Sequence, residues 1–149
     1  MGYNETRDPR RVYFTIDREL ARGWAVTRVE GGGSLYRVRP VPADDIAPDP
    51  DFVDPVGFSA PRAKVIEVAE RTVYMSEDDA KRACCLKYVL WVDGSPAYDY
   101  DGYFQPPPDR RALGKTAADY RFLGPWVQFA ELYGRLGYLT PDGRLAEIP

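Results

Sequence analysis

Histidine is missing from this chain altogether. Its absence removes Ser/His/Asp and Cys/His nucleophilic arrangements, the HExxH metalloprotease motif and the zinc-deaminase signature. Any chemistry must therefore rest on carboxylates, tyrosines and backbone groups. Cysteine is scarce, with only the adjacent Cys84 and Cys85. A bridge between neighbours is strained, and two thiols without histidine fall short of a four-ligand zinc site. Reduced, partly buried thiols in a cytoplasm-like compartment are the expectation, and no metal site is expected. There is no apolar run of about 18 residues, so no membrane-spanning helix is expected. The polar stretch 1–11 lacks the apolar segment of a secretory signal. An excess of positive charge is also missing, with a formal net charge of −3. Arg7, Arg10 and Arg11 make one small basic knot, read as a solvated arm, so nucleic acid is not an expected partner.

What is present fits one ordinary globular domain. The chain has 149 residues, of which 29% are charged, enough to bury a core without covalent staples. The pattern predicts an α+β fold. Residues 11–16 are β-branched and aromatic and read as a strand. Thr15 or Asp17 can cap a helix over 18–26, with Leu20, Ala21, Trp24 and Ala25 as its apolar stripe. Gly31-Gly32-Gly33-Ser34 reads as a turn, since it lacks the Lys-Ser/Thr of a phosphate loop. Residues 35–39 alternate as a half-buried strand. The stretch 40–62 holds Pro40, Pro42, Pro48, Pro50, Pro55 and Pro61 with five aspartates and reads as a long structureless loop. A strand over 65–74 follows.

Ser76-Glu77-Asp78-Asp79 opens a helix to about Lys87. Tyr88–Val92 is open between helix and strand. Tyr98–Tyr103 looks superficially like a calcium loop, but its glycine directly follows the second acid, so an exposed turn is expected. Pro106-Pro107-Pro108 reads as a stiff spacer and Thr116 as the cap of a short helix. Trp126, Phe129, Ala130, Leu132 and Tyr133 predict an amphipathic helix from Pro125 to near Gly137. Residues 138–148 read as a terminal hairpin turning at Thr140-Pro141-Asp142-Gly143.

One ordered set of short motifs resembles a known family. Val12-Tyr13-Phe14-Thr15 is followed by the helix Asp-Arg-Glu-Leu-Ala-Arg at 17–22. Then come Leu35-Tyr36-Arg37-Val38-Arg39-Pro40, the acidic loop Pro48-Asp49-Pro50-Asp51, and Pro61–Val68. Over residues 11–74 this order is similar to the rifampin-type (Arr-like) ADP-ribosyltransferases. The resemblance implies a pair of small sheets with flanking helices that enclose a cleft for NAD, over residues 1–75. Residues 76–149 would then form a helix-rich and hairpin extension. In that family the nicotinamide–ribose bond breaks through an oxocarbenium-like state. Tyr13 matches the tyrosine that stacks on nicotinamide, and Asp49 the acid that stabilises the ribosyl cation. Thr15 and Tyr36, in the same motifs, would also contact the cofactor. The family histidine has no counterpart. Laying Tyr3-Asn4-Glu5-Thr6-Arg7 over its strand puts Asn4 in that place, where an amide can still bond a ribose hydroxyl.

Each residue has a plain structural reading beside the functional one. Tyr13 also suits a core strand, and an aspartate before proline is ordinary turn chemistry. Two functions are therefore expected in competition. One is a degenerate, non-catalytic binding or assembly subunit, for instance of a phage virion or a host-cytoplasmic complex. The other is an active NAD-dependent ADP-ribosyltransferase or NAD glycohydrolase using Tyr13 and Asp49. The missing histidine favours the first, as do the aromatics Tyr98, Tyr100, Tyr103, Phe104, Trp126 and Tyr133, which suit a protein interface, although the core of the C-terminal half is expected to account for most of them.

Overall fold

The computed structural model describes residues 8–28 and 32–149. It shows a mixed α+β architecture built from small antiparallel sheets and few helices. Two compact units divide it, the first ending at Cys84 and the second running Cys85–Pro149. The division falls at the end of a helix and not near residue 75, so that helix belongs to the first unit. No helix among the described residues is long and apolar enough to cross a membrane.

In the first unit, strand β1 (Val12–Thr15) leads into helix α1 (Arg18–Arg28). Asp17 is the cap: its Oδ1 accepts the backbone N–H groups of Glu19 and Leu20 at 3.0 and 3.2 Å, satisfying donors that a helix start leaves open. The next elements are β2 (Leu35–Val41), β3 (Ala47–Pro48), β4 (Gly57–Ala60), β5 (Arg62–Glu70) and α2 (Glu77–Cys85). One sheet has the order β1-β4-β3 and a second is the pair β2-β5. Tyr13 sits opposite Ser59, and Ser59 also opposes Ala47.

The stretch 40–62 is thus not structureless. Its prolines lie where a missing donor costs nothing: Pro48 ends the edge strand β3, while Pro55 and Pro61 flank the short central strand β4 without entering it. β5 also starts earlier than expected and stops at Glu70, short of Tyr74.

The second unit carries α3 (Pro108–Ala112), a 3-10 helix (Ala117–Leu123), and a sheet of β6 (Phe129–Leu132), β7 (Arg135–Leu139) and β8 (Leu145–Glu147). It is not helix-rich. Thr116 caps the 3-10 helix through a reciprocal box with Asp119. The helix expected over 125–137 is instead the β6–β7 hairpin. Tyr133 and Gly134 turn it with φ of 53° and 74°, the positive pair that a tight two-residue hairpin loop requires. Tyr133 stands fully exposed, so the helical spacing of the apolar residues does not mark a buried stripe. The β7–β8 hairpin forms as expected, with Gly143 N–H bonded to Thr140 O.

The core of this unit is aromatic. Phe104 lies edge-on to Trp91, Tyr120 and Phe129, with ring centroids 5.3–5.8 Å apart, a favoured quadrupole arrangement. Of the aromatics weighed between interface and core, Tyr98 and Phe104 are buried in the core, while Tyr100 and Tyr133 are exposed. Tyr98 donates its hydroxyl to Val127 O at 2.6 Å, and burial pushes its phenol well above the ordinary range. Residues 98–103 form the expected turn. Gly102 has φ of 84°, and a Cβ there would lie 2.4 Å from the Trp126 ring.

Gly23 sets the approach of α1 to α2. A Cβ at Gly23 would come within 2.7 Å of Cys84 Sγ and 2.9 Å of the Ala80 carbonyl oxygen. Gly23→Ala gains about 1 kcal/mol of helix propensity and loses about 1–3 kcal/mol to overpacking against backbone that cannot swing away. The clash wins. Denaturant titration of Gly23→Ala is expected to show a net loss of about 1 kcal/mol, and a gain in stability would refute the close approach.

Candidate cleft between the two small sheets

The first unit contains a cleft of about 960 Å³. Its walls come from β1, the first two turns of α1, β2, and the far half of β5, with Ile46 and Phe58 beside them. The local causes follow from hydrogen bonding. Thr15 Oγ1 donates to Val56 O at 2.7 Å and accepts the Asp17 N–H at 3.0 Å. That hydroxyl fixes the end of β1, the start of α1 and the chain entering β4. The cleft floor is therefore pinned at one point.

Tyr13, Thr15 and Tyr36 all line this cleft. Tyr13 accepts the Asp8 backbone N–H on its hydroxyl at 2.8 Å. Asp8 in turn is held by Arg10, whose side-chain hydrogen bond brings the Asp8 carboxyl down to about 2. Arg11 bonds Ser59 Oγ and Asp45, at 3.0 Å each. Arg10 is solvated and among the described residues bonds only Asp8, whereas Arg11, expected as part of the solvated arm, ties the start of β1 to β4. Asn4 and Arg7 lie outside the described residues.

Asp49 is not among the cleft-lining residues. It is only 9% exposed, and it organises its own turn. Its Oδ1 accepts the Asp51 N–H at 3.0 Å, its N–H donates to Gly57 O at 2.9 Å, and its carbonyl accepts the Phe52 N–H at 3.2 Å. The structure therefore gives Asp49 a turn-forming role, and it does not share the cleft lining with Tyr13.

Four lining residues escape sequence reasoning. Trp24 reads only as part of the helix stripe, and Arg37 only as the polar face of a strand. Arg18 and Glu67 lie within the family-like motifs but carry no assigned role there. Glu67 is the one carboxylate among the lining residues, and it pairs with Arg37 at 3.6 Å. Arg18 reaches Glu70 at 3.9 Å. The chemistry on offer is a set of aromatic faces for a planar ring, two guanidinium groups for an anion, and one exposed carboxylate. The Thr15 hydroxyl is engaged with backbone on both sides. No group of three His, Cys, Asp or Glu side chains among the described residues is placed to hold a metal ion.

Removing the Asp49 carboxylate leaves the Asp51 N–H without its acceptor. Asp49→Ala is expected to destabilise the chain by about 1–2 kcal/mol, read from the denaturant midpoint. Neutrality would refute the structural role.

Comparison of the chain with family models, with curated proteins and with solved structures finds no match.

Proposed function

We propose that this protein is a degenerate, ADP-ribosyltransferase-like binding subunit that does not turn over NAD. Support comes first from the position of Asp49. To stabilise a ribosyl cation, a carboxylate must stand within a few ångströms of the reacting carbon, where charge develops. Asp49 instead spends its oxygen on the Asp51 N–H and stands off the cleft lining. Together with the absence of histidine, this leaves a cleft that offers stacking and anion contacts without the assigned acid. Exposed aromatics such as Tyr100, Phe122 and Tyr133 suit a subunit of a larger assembly.

A second reading is favoured by one observation: Tyr13, Thr15 and Tyr36 share a cleft whose volume accommodates a dinucleotide. On that reading the chain is an NAD-dependent ADP-ribosyltransferase or NAD glycohydrolase. The bond from ribose to nicotinamide breaks, nicotinamide leaves with the electron pair, and an acceptor oxygen adds to the ribose carbon and gives up its proton. On that reading the assigned residues are Tyr13 and Asp49, and Glu67, the one carboxylate in the cleft lining, is a further candidate for the acid.

The two readings separate in a nicotinamide-release assay at millimolar NAD, run beside calorimetric titration. The expected result is no release above the buffer rate, whether or not NAD binds. Release that disappears in Glu67→Gln and Tyr13→Ala but persists in Asp49→Ala would establish the enzyme and end the non-catalytic reading.

A further inference from the structure

The sheet β2-β5 has two strands only among the described residues. Isolated pairs of this kind are marginal in water, and long open edges invite another chain. Its two outer edges differ. β2 carries Pro40, which offers no donor, and lines the cleft. β5 runs nine residues without proline, and Val65, Ile66 and Val68 are exposed along it.

The charges on β5 are arranged unusually. Register runs Arg37↔Glu67 and then Val38↔Val65, so Ile66 is the extra residue of a bulge. In a regular strand, residues three apart face opposite ways. The bulge brings Lys64 and Glu67 onto one face. On that face Lys64 sits directly opposite Arg39, a like-charge pair that costs stability in a sheet. Neither cation meets a carboxylate among the described residues.

We infer that β5 pairs antiparallel with β5 of a second copy, about a dyad between Val65 and Ile66. In that register Lys64 of each copy opposes Glu67 of the other, twice by symmetry, and Val68 opposes Ala63. The arrangement is isologous, joins two marginal two-stranded sheets into one of four strands, and gives each Lys64–Arg39 pair a carboxylate. The second copy also brings its Lys64 beside Glu67, the cleft carboxylate. The inference stands on register and charge, and does not depend on NAD binding.

Sedimentation velocity of the full chain across the micromolar range tests it. The expected species has twice the 16.9 kDa chain mass. Lys64→Glu sets a carboxylate against Glu67 of the second copy, and the dimer constant is expected to weaken roughly tenfold or more. Within one copy the same change faces Arg39 with an acid, so the unfolding temperature is expected to hold or rise, which separates lost pairing from lost folding. Glu67→Lys is expected to weaken association likewise. Mixing Lys64→Glu with Glu67→Lys re-creates both opposite-charge pairs, and association of the two variants is expected to return. A wild-type chain that stays monomeric throughout, a dimer indifferent to these reversals, or variants that fail to associate on mixing would each overturn the inference. So would a monomeric chain that captures an acidic peptide through Lys64.

Discussion

One hydroxyl organises the first unit. Thr15 Oγ1 stands where β1 must end, α1 must begin and the chain must enter β4, and it bonds on both sides. Threonine suits this place because one oxygen can donate and accept at once, while its branched Cβ keeps the strand conformation up to the turn. Asp17 then uses its own oxygen on the helix start. Strand direction, helix entry and the β4 register follow from these two side chains, and with them the position of Tyr13 one pleat away.

The second unit solves a different problem. Its residues supply few regular elements, and it stabilises itself through rings packed edge-to-face around Phe104. A phenol buried in such a core is tolerable only if its hydroxyl finds a partner. Tyr98 donates to the Val127 carbonyl, and that carbonyl precedes β6. The same bond therefore satisfies the buried phenol and anchors the strand.

How much of this was legible in the sequence differs by element. β1, α1 and the β7–β8 hairpin were readable because period, cap and turn residues agreed on one local answer. The β6–β7 hairpin was not: Trp126, Phe129, Ala130, Leu132 and Tyr133 satisfy helical spacing, and only the positive φ of Tyr133 and Gly134 breaks the tie. β3 and β4 were hidden for another reason. Proline density argued for loop, and the strands survive because the prolines sit at edges and ends, which is a property of sheet order and not of local sequence. The cleft was half legible. Tyr13, Thr15 and Tyr36 came from ordered motifs in strands that form its walls. Glu67 and Arg37 face each other only because a bulge resets the β2-β5 register, and no single-strand pattern announces a bulge.

The two carboxylates show why position outweighs motif. Asp49 stands in the more suggestive sequence, between two prolines in an acidic loop. Pro50, however, biases Asp49 toward an extended conformation, and the turn that follows claims its Oδ1 for the Asp51 N–H. One oxygen of this acid is thereby engaged in holding its own loop. Glu67 has no such obligation. It sits mid-strand and exposed in the cleft lining, paired across the strands with Arg37 at 3.6 Å.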